Sequence, residues 1–272
     1  MAQFLSLHDA VARYVQDGQS VALEGFTHLI PFAAGHEILR QGRRSLTLIR
    51  MMPDVLYDQM VGMGCAKRLV FSWGGNPEGG PLRRLRDAVE RGYPQALELE
   101  EHTHAAMANA WWAGAAKLPF APLKSYRGTG LSTVNANIAT ISCPFTGVQV
   151  AAVPALRPDI GIVHAQRADR QGNVVLAGVL GVQKEVILAS RVSIVTVEEV
   201  VDELEMLGMN DVVLPGWSID VVATAPRGAW PSPVHGYYPR DNSFYQQWAH
   251  ITAERDRFAE WMQRNVLEGH HD

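Results

Sequence analysis

A chain of 272 residues with 47% hydrophobic and 19% charged side chains is long enough to bury a sizeable core, as one large α/β domain or two smaller ones, and its composition is neither disordered nor membrane-like. A net charge of −4 removes the main electrostatic argument for nucleic acid as a partner. The N-terminal Met1-Ala2-Gln3-Phe4-Leu5-Ser6 lacks the basic and apolar regions of a signal peptide, and no apolar run reaches spanning length, so a soluble cytoplasmic protein with no membrane partner is expected.

In chain order, Ser6 can cap a first helix whose Val11, Tyr14 and Val15 recur at helical spacing and which ends at Asp17-Gly18. Val21 to Leu23 reads as a short buried strand leading through Glu24 into the loop Gly25-Phe26-Thr27-His28, which Pro31 keeps from continuing as a strand. Gly25 permits positive φ and close approach by a ligand at a strand end, where an α/β sheet usually opens its crevice. A plain strand-to-helix turn would use the same glycine. Ala33 to Arg40 suits a helix ended by Gly42, and Leu46-Thr47-Leu48-Ile49 the next strand. The alternation continues through Arg68-Leu69-Val70-Phe71, the amphipathic run Leu82 to Arg91, Leu97-Glu98-Leu99, and a helix from Ala105 to Ala116.

Val150 to Val153, Ile160 to Val163, Val192 to Val197 and Ile219 to Val222 read as buried strands, with Val182 to Ser190 as a crossover helix and Phe244 to Val266 as one or two packing helices. This rhythm predicts an α/β fold, an open and mainly parallel sheet with helices on both faces, spanning residues 1–272 as a single domain. Thr129 to Asn137 is the one mild candidate for a boundary.

Polar chemistry is expected on loops that follow strands. The glycine-rich Ser72 to Pro81, with Gly74, Gly75 and Asn76, could cradle a phosphate or an oxyanion on its backbone amides, or be a plain surface loop. Glu100-Glu101-His102-Thr103-His104 sets two carboxylates and two imidazoles after a strand, for proton transfer or donation to an oxyanion. Zinc is a rival, since an HxH pair in extended backbone shares one face, yet no third ligand is evident nearby and no metal is expected. The bland alternative is a capping, salt-bridging helix start. Cys65 and Cys143 form no CxxC pair.

In this order and spacing, Asp17-Gly18, Ala22-Leu23-Glu24-Gly25-Phe26-Thr27, His36-Glu37-Ile38-Leu39-Arg40-Gln41-Gly42, Leu118-Pro119-Phe120, Val163-His164-Ala165-Gln166 and Asp241-Asn242-Ser243-Phe244 resemble the α subunits of family I CoA-transferases. The likeness covers nearly the whole chain. Gly25 to Pro31 and Trp73 to Pro77 are most similar to the 3-oxoadipate type, and the glutaconate type is next.

The resemblance implies a polypeptide that pairs with a similarly folded β subunit, usually as a heterotetramer or larger. It implies a coenzyme A thioester as substrate with no bound cofactor, and a ping-pong reaction in which the β subunit supplies the nucleophilic glutamate. From this chain it implies a substrate-binding or CoA-binding loop at Glu24, Gly25, Phe26, Thr27 and His28, joined by Gly74, Gly75, Asn76 and His102, with His104 polarising the reacting carbonyl. Two departures stand out: Glu24 replaces the first glycine of a usual Gly-Gly-Phe, and His104 falls where transferases usually carry glutamine. Steroid ring-opening hydrolases of this fold place an acidic residue there. The alternatives are therefore an acyl-CoA hydrolase and a non-catalytic CoA-binding subunit.

Arg50, Lys124, Arg127 and Arg167 are available to a dicarboxylate substrate, or are solvated surface residues. Trp111, Trp112, Trp217 and Trp230 are assigned to packing or a contact between subunits, and Tyr237 to Asp241 to a turn in that contact.

Overall fold

The computed structural model describes residues 2–126, 128–205, 208 and 210–268. The chain runs through β1 (Gln3–Phe4), α1 (Leu7–Tyr14), β2 (Ser20–Glu24), α2 (Phe32–Arg40), β3 (Leu46–Ile49) and α3 (Val55–Gly62). It continues with β4 (Ala66–Phe71), α4 (Arg83–Arg91), β5 (Glu98–Glu101) and α5 (His104–Ala115). An insert follows, made of β6 (Phe120–Leu123), the single turn α6 (Leu131–Val134), β7 (Ala139–Ser142) and β8 (Gln149–Pro154). The chain then re-enters the main sheet with β9 (Ile160–Asp169), β10 (Val174–Leu176), α7 (Gln183–Ala189), β11 (Val192–Val201), β12 (Val212–Leu214) and β13 (Val221–Thr224), and closes with α8 (Asn242–Ile251) and α9 (Arg255–Met262).

The main sheet has the order β1-β13-β11-β9-β2-β3-β4-β5, with every neighbouring pair parallel, and β10 and β12 extend it antiparallel beside β9. Alternation along the strands feeds two cores. Val21, Leu23, Leu46 and Leu48 face α1 to α4 and the tail helices, whereas Ala22, Ile49 and Val163 face Met107 and Trp111 of α5 and Val186 and Ile187 of α7. Helices thus cover both faces, as right-handed crossovers between parallel strands require.

Side-chain caps start four of the helices, α1, α3, α5 and α8. Ser6 Oγ accepts from the Asp9 amide at 3.0 Å and caps α1, and Asp241 does the same for α8 through Phe244 N at 3.0 Å. The tail helices are part of the core: buried Trp248 donates its indole N–H to Asp58 at 2.8 Å, and Phe244 stacks against Trp248 and meets Trp230 edge-on.

Several sequence expectations need correction. The first helix ends at Tyr14, short of Asp17-Gly18. β5 begins at Glu98, so Glu100 and Glu101 lie within the strand and His104 is already the first residue of α5, capped by Thr103 Oγ1 on Ala106 N at 3.2 Å. Val150 to Val153 belongs to β8, which pairs antiparallel with β6 and β7 in a separate sheet. The reason is the short turn joining β7 to β8: a connection of that length closes a hairpin but cannot cross over to a parallel neighbour. Thr129 to Asn137 holds α6 inside this insert.

Candidate active site

Strand order reverses between β2 and β9: the chain moves outward through β3, β4 and β5 on one side and through β11 and β13 on the other. In an open α/β sheet that switch point, beyond the carboxyl ends of the two strands, is where a crevice forms. The loop after β2 occupies it. Gly25 is needed for close approach and not for positive φ, contrary to one use read from the sequence. A Cβ at this residue would lie 2.6 Å from Leu29 O and 2.8 Å from both His28 O and Ile30 Cα, because the loop folds back over its own first residue. The positive φ angles fall instead on Thr27 (60°) and Leu29 (56°), residues for which that conformation carries strain. Gly181 allows the turn before α7 to close on Phe26, and Gly178 does the same for His28.

Glu24 is not an open carboxylate. It is buried, and its Oε1 accepts the Met51 amide at 2.7 Å, just past the point where the β2–β3 ladder stops at Ala22 and Ile49. The carboxylate therefore closes a gap in the rim. Below it, Arg50 donates to Asp54 Oδ1 at 2.9 Å and to Gly25 O at 3.1 Å, while its Nε stays 4.0 Å from Glu24 Oε2 without a hydrogen bond. Arg50 is thus fixed under the glycine loop and unavailable to a substrate. Burial pushes the Glu24 carboxyl up to about 7, with Arg50 opposing only in part because Asp54 shares the same cation.

A pH prediction follows from this arrangement. Glu24 holds its proton longer when folded than when unfolded, so stability declines as pH rises from about 4.5 to about 7 and levels off above. Glu24→Gln keeps an acceptor for Met51 N and removes the buried charge. It is expected to gain on the order of 2 kcal/mol in urea unfolding at alkaline pH and little at about pH 4.5. A loss of stability at alkaline pH would instead mean that Glu24 is ionised and held by Arg50.

From Met51 the rim runs toward β5. The Ser72 hydroxyl, one residue beyond β4, donates to Met51 O at 2.6 Å and also meets His104 Nδ1 at 2.8 Å. Gly25-Phe26 and His102-Thr103-His104 therefore stand on the same carboxyl-end rim, rising from strands three positions apart, on the order of 14 Å. Met51 and Ser72 bridge them. His102 and His104 do not act as a pair: His102 is buried between the Tyr126 hydroxyl (2.7 Å) and Glu100 (2.8 Å), while His104 is exposed on Ser72. Burial would raise Glu100, but hydrogen bonds from His102 and Asn137 and the Arg68 charge hold it down to about 2. Among the described residues no group of three or more His, Cys, Asp or Glu could hold a metal ion.

The glycine-rich loop spends much of its polarity internally. Trp73 N, Gly75 N and Gly79 N donate to Met51 O, Pro53 O and Asn76 O. Asn76 is buried, and its side chain anchors the loop to α8 through Nδ2 on Tyr245 O at 2.7 Å. Gly74 approaches Pro53, and Gly75 lies under the Trp73 ring.

A cavity of about 880 Å³ opens beside the glycine loop, lined by Thr27, His28, Val179, Asp211, His235 and Tyr237 among others. His28 donates Nε2–H to Ala177 O at 3.0 Å, its Nδ1 has no partner, and burial holds its pKa below the ordinary value. Tyr237 and Tyr238 follow a turn closed by Tyr237 N on Val234 O, and their hydroxyls reach inward to Glu199 at 2.5 Å and Glu198 at 2.6 Å. Glu198 also meets His164 at 2.9 Å. His164 and Gln166 entered the sequence reading only through the motif they belong to. Both are fully buried, and Gln166 joins β9 to the end of β10 by exchanging hydrogen bonds with Ala177 N and O, each 3.0 Å.

Of the proposed substrate cations, Arg167 is bonded to Glu199 and Tyr237, Lys124 lies exposed on the insert, and Arg127 falls outside the described residues. Trp111 and Trp230 pack inward, whereas Trp112 and Trp217 are exposed.

Comparison with known proteins agrees with this layout. The model of the family described as coenzyme A transferase matches residues 4–225. The chain is 57% identical over 266 residues to the A-type chain of a 3-oxoadipate CoA-transferase from Pseudomonas knackmussii, covering 98% of this chain and 94% of that one. The crystal structure of glutaconate coenzyme A-transferase from Acidaminococcus fermentans superposes with a TM-score of 0.90 at 30% identity, over 98% of this chain and 90% of that one. A crystal structure of a variant of the decarboxylase AibA/AibB gives 0.86 at 32% identity over 97% of each chain. A family match across four fifths of the sequence, with 57% identity to a relative over nearly the whole of both chains, shows that the chain belongs to the coenzyme A transferase family.

Proposed function

We propose that this chain is the α subunit of a heteromeric cytoplasmic CoA-transferase that moves CoA from succinyl-CoA to 3-oxoadipate, with the nucleophilic glutamate on a β subunit. The observation that carries the reading is the 57% identity to the A-type chain of a 3-oxoadipate CoA-transferase over 98% of the sequence. The state of the rim supports it. Glu24, Asp54 and Glu100 are each tied to backbone amides or to Arg50, Arg68 and His102, so these three carboxylates are not free to attack a thioester.

The chemistry then divides between the subunits. The partner's carboxylate attacks the thioester carbonyl carbon, the C–S bond breaks and an anhydride forms. The released thiolate attacks the glutamyl carbonyl, freeing succinate and leaving a glutamyl-CoA thioester, and the acceptor acid repeats the sequence in reverse. This chain supplies the loop from Gly25 to His28 as a wall of the substrate site, and His104 as the hydrogen-bond donor to the carbonyl oxygen where negative charge develops. Coenzyme A enters as substrate and not as a resident cofactor.

Co-expression with a B-type chain tests the reading. CoA exchange between succinyl-CoA and 3-oxoadipate, with a borohydride-trappable glutamyl thioester on the partner, is the expected result. Consumption of acyl-CoA with no acid acceptor would replace transfer by hydrolysis. A complex inert toward every acid offered would leave a structural subunit.

A further inference from the structure

The contact between Ser72 and His104 determines more than position. The Ser72 hydroxyl has one proton, and the 2.6 Å separation from Met51 O requires that proton between them, since a carbonyl oxygen only accepts. At 2.8 Å from the same oxygen, His104 Nδ1 must then be the donor. Nε2 has no protein partner among the described residues.

We infer that Ser72 is a positioning residue that locks His104 in the Nδ1–H tautomer, so that the neutral imidazole offers only a lone pair at Nε2 and the imidazolium alone can donate to a carbonyl. The functional half of this inference rests on the transferase reading above. A glutamine at the same place would donate at any pH, so the histidine makes carbonyl polarisation depend on protonation. The titratable groups on the surrounding segments are already committed: Glu24 to the Met51 amide, Asp54 to Arg50, Glu100 to Arg68 and His102, and Glu78 to Arg240. Glu101, exposed at the end of β5, is the remaining carboxylate near His104 in sequence.

Nitrogen-15 NMR of the full chain, labelled at its ten histidines and assigned by difference from His104→Gln, reads the tautomer without any activity. Nδ1–H is expected to dominate the neutral His104 imidazole in the wild type. Ser72→Ala should shift the signal toward Nε2–H, the form a free imidazole side chain prefers, and Ser72→Thr should restore it. In the assembled complex, wild-type transfer is expected to fall about tenfold per pH unit once the imidazolium is lost. Ser72→Ala should flatten that limb, because a neutral Nε2–H donor becomes available. A wild-type spectrum dominated by Nε2–H, or an alkaline limb that Ser72→Ala leaves unchanged, overturns the inference. Absence of CoA exchange in every complex would overturn the transferase reading while leaving the NMR result to stand.

Discussion

Gly25→Ala is expected to lower turnover of the assembled enzyme by about 10²-fold and to cost the chain about 1–3 kcal/mol. The added methyl would meet Leu29 O at 2.6 Å and His28 O and Ile30 Cα at 2.8 Å, and all three are backbone atoms that cannot swing aside. The loop has little slack to absorb the clash. Leu29 N is bound to Pro233 O at 3.1 Å, Gly25 O to Arg50 at 3.1 Å, and Thr27 and Leu29 already sit at positive φ. Relief must come from displacing Phe26 to His28, the segment lining the crevice. Gly130→Ala is the control, since its Cβ would meet nothing within 4 Å and its φ is not positive. Steady-state kinetics and urea unfolding of the two variants check this, and parity between them would remove the loop from the mechanism.

His104→Ala is expected to reduce turnover by about 10²-fold or more while moving stability by less than about 0.5 kcal/mol, because the residue is exposed and, among the described residues, its side-chain hydrogen bond is to Ser72. His104→Gln should retain much of the activity and lose the alkaline fall, since an amide N–H donates at any pH. Initial rates of CoA exchange across the pH range separate the roles. Loss of activity with rising pH marks a protonated donor, and a gain marks a general base, the outcome hydrolysis would need. An unchanged turnover number in His104→Ala would take the residue out of the site.

The two substitutions differ because the rim is built from two kinds of part. Around Gly25 the backbone itself is the wall, and one methyl shifts several atoms at once. At His104 a single side chain stands on a helix start, held by Ser72, and its removal leaves the scaffold in place.

Sequence alone determined the parallel sheet and the place of its crevice. Apolar runs such as Val21 to Leu23 and Leu46 to Ile49, separated by helices of crossover length, leave few ways to pair, and Gly25 with Pro31 marks where β2 stops. It also supplied the departures that matter, Glu24 and His104. Periodicity could not say that β8 leaves the main sheet, because a strand's partner is set by its connection and not by its own residues. Nor could it say what each polar side chain does. Glu24 reads as a carboxylate in place of a glycine and closes the β2–β3 gap, Arg50 reads as either a substrate cation or a solvated surface residue and lies buried under a loop, and Asn76 reads as part of a backbone cradle or a plain surface loop and its side chain ties that loop to α8. Those outcomes depend on Met51, Gly25 and Tyr245, partners between 25 and 169 residues away along the chain. Buried polar groups take whichever partner the tertiary fold presents, because leaving them unpaired costs more than any local preference can offset.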